Sequence, residues 1–214
     1  MRGSLAPSNT YVLYFQRMTA IVASTQLERD VVRILCSLEP STVKAARPAL
    51  LVLVGLPAAG KTHIATELQR RTGAAVLESD AIRSLLFRQR RYTRWESQRL
   101  FGAIHAAIDA LLSDGVSVIL DATNVAEAER RPLYAMAEQR NAKLILARVT
   151  APSGVARERL ARRADEETHS EADVRVYESM LSRSEEIRRP HHVIDTSGEI
   201  EPALATIVRE MTAS

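Results

Sequence analysis

The chain has 214 residues, 46% hydrophobic and 26% charged, with Lys+Arg 29 against Asp+Glu 26 for a formal charge of +3. That suffices for one α/β domain with a well-filled core and is short for two. A lone cysteine, Cys36, excludes a disulfide framework within the chain, no apolar run approaches the roughly 18 residues of a membrane helix, and Gln16 and Arg17 interrupt the one stretch resembling a signal peptide, so a cytoplasmic protein with no membrane partner is expected.

Residues 1–23 show no clear period. Thr25-x-x-Glu28 is a capping box, and Val31, Ile34, Leu35 and Leu38 follow at helical spacing, so a helix is expected over about 25–38 before Pro40 stops it. With the linker Ser41 to Pro48, this makes residues 1–48 an N-terminal extension and 49–214 the main domain. The apolar run Leu50-Leu51-Val52-Leu53-Val54 reads as a buried strand and leads directly into Gly55-Leu56-Pro57-Ala58-Ala59-Gly60-Lys61-Thr62, a complete G-x-x-x-x-G-K-T phosphate-binding loop. Gly55 and Gly60 allow positive φ and close backbone approach, so that successive N–H groups face phosphate oxygens. Lys61 supplies a mobile charge and Thr62 a hydroxyl for Mg²⁺, while the following helix aims its positive end at the anion and ends at Arg70, Arg71 and Gly73.

Further along, Ala74 to Glu78 reads as a second strand and Ser79 as the cap of a short helix through Phe87. A long helix is expected from about Trp95 to Ser113, a third strand from Val116 to Leu120, a helix from Val125 to Gln139 and a fourth strand from Lys143 to Val149. An arginine-rich helix from Ser153 to Arg163, a helix from about Glu171 to Arg188, a strand His192 to Asp195 and a last helix from Glu201 complete the series. Strands alternating with helices imply a parallel sheet covered on both faces.

In such sheets ligands sit beyond the carboxyl ends of the strands. The second strand runs into Ser79-Asp80-Ala81-Ile82-Arg83, where Asp80 and Arg83 share a helix face. They fit either an acceptor-orienting carboxylate with a charge-neutralising guanidinium, or a capping acid with a surface salt bridge. The third strand ends in Asp121-Ala122-Thr123-Asn124, and an apolar strand ending in Asp is the second half of the phosphate-loop pattern, holding Mg²⁺ or its waters opposite Thr62. Ala122 stands where many motor-type ATPases carry the glutamate that activates water, so hydrolysis is not the favoured reaction. After the fourth strand, Arg159 and Arg163 point the same way, as a lid over the transferring phosphoryl group or as a solvated basic face.

The set GLPAAGKT, SDAIR, VILDATNVAEAERRPL and RERLARR, spanning roughly residues 50–165, resembles the kinase domain of bacterial polynucleotide kinase-phosphatases and, more broadly, the P-loop kinase group. DATNV…RRPL is its most discriminating part, Ala58-Ala59 stands where relatives often have Gly-Ser, and no phosphatase or ligase module follows. The resemblance implies an adenylate-kinase-like P-loop NTPase fold, a five-stranded parallel sheet of order 2-3-1-4-5 with helices on both faces and a helical lid, using ATP or another NTP with Mg²⁺. It implies that Lys61 and Thr62 bind phosphates and metal, that Asp80 is the general base, that Arg83 contacts acceptor phosphate with Asn124 also on the acceptor side, that Asp121 supports the metal, and that Arg159 and Arg163 clamp the donor. The implied acceptor is the 5′-hydroxyl of a nucleic acid; a small-molecule hydroxyl is the first alternative, and an ATP-binding switch without transfer activity the second. The five histidines show no ligand spacing, His105 reads as packing, and Tyr92 with Trp95 reads as an anchor of the long helix, with base stacking as the other reading.

Overall fold

The computed structural model describes residues 25–39, 43–89, 91–166 and 177–213, with side chains as far as Ala161 in the helix that ends at Glu166. Strands β1 (Ala49–Val54), β2 (Ala75–Glu78), β3 (Val118–Asp121), β4 (Lys143–Thr150) and β5 (His192–Asp195) pair in parallel, in the order β2-β3-β1-β4-β5 that the resemblance implied. The helices are α1 (Gln26–Ser37), α2 (Lys61–Thr72), α3 (Ser79–Leu86), α4 (Arg94–Ser113), α5 (Glu127–Gln139), α6 (Ser153–Glu166) and α7 (Glu201–Thr212), with a further helical stretch over 177–182. No helix among the described residues is long and apolar enough to cross a membrane.

β1 is buried along its whole length because it faces helices on both sides. Its period of two divides the core. Leu50, Val52 and Val54 pack with residues of α1, α3, α4 and α5, whereas Ala49, Leu51 and Leu53 pack with α2 and α7. A smaller third cluster joins Ala156 and Leu160 of α6 and Tyr177 to Ala58 and Leu56 of the phosphate-binding loop.

The capping box at Thr25 forms as the spacing predicts, with the Glu28 N–H donating to the Thr25 hydroxyl at 3.2 Å and the Thr25 N–H to the Glu28 carboxylate at 2.9 Å. α1 lies against α3 and α4, and its fully buried Asp30 accepts two hydrogen bonds from Arg99, at 2.7 and 2.8 Å. Burial alone would raise the Asp30 pKa; the hydrogen bonds from Arg99 and Gln26, with the charges of Arg99 and Arg33, outweigh it and hold the carboxyl below its ordinary value.

Three expectations are corrected. Ser79 does not cap α3, because the chain is already helical there and Glu78 takes the cap position without a side-chain bond. Tyr92 and Trp95 do not anchor α4 in the core, since each is 62% exposed, and Thr93 caps that helix by accepting from the Glu96 N–H at 3.2 Å. The helix expected over Glu171–Arg188 begins outside the described residues and is helical only over 177–182 in the described part. Residues 184–189 instead run beside the start of α5, where the Glu185 N–H donates to the Val125 carbonyl at 3.0 Å, the Glu127 N–H donates to the Glu185 carboxylate at 2.7 Å, and Ile187 enters the core. Tertiary partners for the backbone outweigh the helix propensity of Ser-Glu-Glu-Ile-Arg-Arg.

Candidate phosphate-transfer site

The loop between β1 and α2 is built by close backbone approach. A Cβ at Gly55 would lie 2.4 Å from the Val149 carbonyl oxygen of β4, so only glycine fits there. Its N–H donates to the Thr123 carbonyl at 2.9 Å, tying the loop to the end of β3. Gly60, at φ 97, is the N-cap of α2 and offers no side-chain cap, leaving that end of the helix to be satisfied from outside the chain's side chains. Ala58 carries φ 59, a conformation costing an L-residue roughly 1–2 kcal/mol. Its methyl group packs with Leu160 and Tyr177, which a glycine would forgo and which supplies a physical reason for the departure from Gly-Ser.

Lys61 is 9% exposed and its ammonium donates to the Leu56 carbonyl at 3.0 Å, folded back over its own loop. The Thr62 hydroxyl donates to an Asp121 carboxylate oxygen at 2.7 Å. These two oxygens, one from the start of α2 and one from the end of β3, form the hard donor pair expected on the protein side of a Mg²⁺ ion that takes its other ligands from phosphates and water. Ala122 is buried at 2% exposure, so the position after Asp121 offers no group to activate water.

Arg159 reaches the loop from α6. One nitrogen donates to the Ala58 carbonyl at 3.2 Å and to the Thr196 hydroxyl at 2.8 Å, the other to the Thr196 carbonyl at 3.2 Å. Arg163 lies outside the residues whose side chains are described. Thr196 was not anticipated, although it follows β5 at the same carboxyl edge that identified the other positions. Its hydroxyl donates to the Ala59 carbonyl at 2.8 Å. The adjacent Asp195 is held below its ordinary pKa by the Ser197 N–H and hydroxyl, with a further contribution from the Arg159 charge. A Cβ on Gly60 would meet the Thr196 methyl at 2.9 Å. Gly60→Ala should therefore weaken binding of a non-hydrolysable ATP analogue by tenfold or more in titration calorimetry, from the roughly 1–3 kcal/mol of backbone strain at that φ. Unchanged affinity would remove Gly60 and Thr196 from the site.

On the other side of β1, Glu78 pairs in register with Asp121, and Asp80 follows in the first turn of α3, exposed at the same end of the sheet. Arg83, expected beside Asp80 on one face, is instead only 7% exposed. Its guanidinium lies 4.8 Å from the centroid of the Tyr92 ring, and a carboxylate oxygen of Glu96 stands 3.9 Å from Nη1, beyond hydrogen-bonding reach. Nε and Nη1 are buried without a hydrogen-bond partner. Asn124 is placed differently from its expected acceptor-side position. It is 3% exposed at φ 47, and its amide donates to the Leu53 carbonyl at 2.9 Å, bracing β1 against the β3 loop.

Arg130 is the residue the sequence pattern concealed most completely. In the RRPL segment it looks like any surface arginine, yet it is fully buried. One of its terminal nitrogens donates to the carbonyls of Asn124 and Val125 at 2.9 and 2.8 Å, the other to those of Glu185 and Glu186 at 3.4 and 3.2 Å, and both Nε and Nη2 reach the Glu127 carboxylate. It thereby binds the segment returning from the α6 side of the molecule to the loop that follows Asp121.

Compared with known families, residues 50–187 match the one described as an AAA domain. No curated protein sequence matches the chain. Solved structures of similar fold include a Chloroflexus aurantiacus protein described as a candidate kinase (20% identity, TM-score 0.64, 79% of this chain and 99% of that one). They also include a sugar kinase from Janibacter sp. HTCC2649 (20% identity, TM-score 0.56, 77% and 96%) and the Mycobacterium tuberculosis APS kinase CysC with AMPPNP and APS (18% identity, TM-score 0.59, 79% and 100%). At these identities the likeness is one of fold.

Proposed function

The chain belongs to the AAA domain family and has the P-loop NTPase fold, and from that premise we propose that it is a kinase that moves the γ-phosphate of ATP to the hydroxyl of a small acceptor. The observation that carries this reading is the convergence of Lys61, the Thr62–Asp121 pair and Arg159 on one loop, with Asp80 exposed at the same end of the sheet and a buried alanine where many motor-type ATPases carry the glutamate that activates water. The acceptor hydroxyl oxygen attacks the γ-phosphorus as the bond to the bridging oxygen breaks, ADP departs, and the hydroxyl proton passes to the Asp80 carboxylate. Lys61 follows the charge that develops on the phosphoryl oxygens, and Arg159 exchanges the Ala58 and Thr196 carbonyls for phosphate oxygens. Mg²⁺, held on the protein side by Thr62 and Asp121, would neutralise charge on the β- and γ-phosphates. A loose transition state asks more for positioning and charge stabilisation than for early proton removal, so Asp80 serves first by orienting the hydroxyl.

A small acceptor is preferred to the nucleic-acid end implied by the sequence resemblance, because the structures of similar fold include a sugar kinase and an APS kinase and because the Arg83 charge is enclosed rather than spread along an open track. A polynucleotide 5′ end remains the second reading, favoured by the five arginines between residues 88 and 99 against one carboxylate, Glu96. Transfer from γ-labelled ATP to a panel of hydroxylated small molecules and 5′-hydroxyl oligonucleotides tests both. Asp80→Ala should lower kcat on the true acceptor by about 10²–10⁴-fold with KM for ATP nearly unchanged. Undiminished transfer by that variant would end the assignment.

A further inference from the structure

Among the described Phe, Tyr and Trp side chains only Tyr92 and Trp95 are exposed, each at 62%. A guanidinium group lies over each ring. Arg83 lies 4.8 Å from the Tyr92 centroid, and Arg99 lies 5.6 Å from that of Trp95 and 5.0 Å from that of Phe87. Phe87 meets Trp95 edge-on, with centroids 6.3 Å apart. Arg99 is itself fixed by its two bonds to buried Asp30, so the platform is fastened to α1 as well as to α4. Tyr92 has φ 51, a strained backbone for a bulky residue, of the kind that persists where the surroundings impose it and that clusters at binding sites.

A second observation points independently to a ligand. Arg83 is more than nine-tenths buried, its Nε and Nη1 have no hydrogen-bond partner, and it lies one helical turn from Asp80. The Glu96 carboxylate, 3.9 Å from Nη1, offsets the charge without making a hydrogen bond, so two donors are left that an anionic oxygen of a ligand would complete.

We propose that Tyr92 and Trp95 form a stacking subsite for a flat aromatic ring carried by the phosphoryl acceptor, whose anionic group is taken by Arg83. This rests on the phosphotransfer reading and narrows its substrate to compact anions that bear both a π-ring and a free hydroxyl, in the manner of a nucleoside monophosphate, and sets aside plain sugars and polyols. Aromatic side chains stack on nucleobases with little regard to base identity, so discrimination falls between ring and no ring rather than among rings.

The chain has one tryptophan, Trp95, so its intrinsic fluorescence reports on this position alone. With the full chain, Mg²⁺ and saturating AMPPNP, titration with purine and pyrimidine nucleoside monophosphates should quench the emission saturably, whereas ribose 5-phosphate should leave it unchanged. In steady-state transfer, Trp95→Ala and Tyr92→Ala should each raise KM for the ring-bearing acceptor about ten- to a hundredfold while KM for ATP stays constant, with Trp95→Phe retaining most of the affinity. Equal binding of ribose 5-phosphate and the monophosphates, an acceptor KM indifferent to Trp95→Ala, or acceptance of oligonucleotides alone would overturn the proposal. Absence of transfer to any acceptor would instead strike the kinase reading, and the quenching titration would still decide the subsite.

Discussion

Replacing Lys61 by methionine should reduce phosphoryl transfer by about 10³-fold or more while leaving the melting temperature within a few degrees of the parent chain. The side chain is nearly enclosed, and its ammonium rests 3.0 Å from the Leu56 carbonyl, so its aliphatic stem fits the loop and methionine replaces it at similar volume. On the proposed reading, what disappears is a positive charge that moves with the phosphoryl group, and removal of a preorganised electrostatic partner from such a site costs several kcal/mol of transition-state stabilisation. Lys61→Arg should not restore activity, because a planar guanidinium cannot occupy the space of a compact ammonium over a tight loop. Single-turnover transfer measured beside thermal unfolding separates the two effects. A Lys61→Met chain that turns over within tenfold of the parent would place the phosphate elsewhere.

Arg130→Met carries the largest expected effect on stability. The guanidinium is fully buried and satisfies four backbone carbonyls, those of Asn124, Val125, Glu185 and Glu186, besides the Glu127 carboxylate and the Tyr134 hydroxyl. Methionine fills much of the space and none of the hydrogen bonds. Breaking a buried charged network by removing one partner costs about 3–5 kcal/mol, a large share of the roughly 5–15 kcal/mol that a domain of this size possesses. At about 2–4 °C per kcal/mol the melting temperature should fall by roughly 10 °C. Lysine should not rescue it, since one ammonium cannot span two pairs of carbonyls. Parent-like stability in Arg130→Met would show that residues 184–189 hold their place without the clamp.

The elements that the sequence made legible are those whose local signal and tertiary role agree. Leu50 to Val54 reads as a buried strand and is one, its alternate residues divided between the two core layers. The loop, the Thr25 cap and Asp121 at the end of β3 were visible for the same reason: each needs a residue type that few other contexts require. Harder to read were residues whose environment is supplied from far along the chain. Two of the four carbonyls that Arg130 satisfies, those of Glu185 and Glu186, lie more than fifty positions away, and the non-helical path of residues 184–189 depends on the same contact. Asn124 and Arg83 belonged to informative motifs, yet burial turned one into a brace and enclosed the other beneath Tyr92. Exposure of Trp95 could not be foreseen from hydropathy, which places large rings inside.

Ala58 belongs at once to the loop that grips phosphate and to the apolar surface on which Leu160 and Tyr177 rest. Lifting α6 away from the loop therefore separates carbon from carbon as well as breaking the contacts of Arg159. On the proposed kinase reading, with α6 as a lid, departure of spent nucleotide would meet that resistance, and the tempo of successive turnovers would answer to the grease beneath α6 as well as to the chemistry.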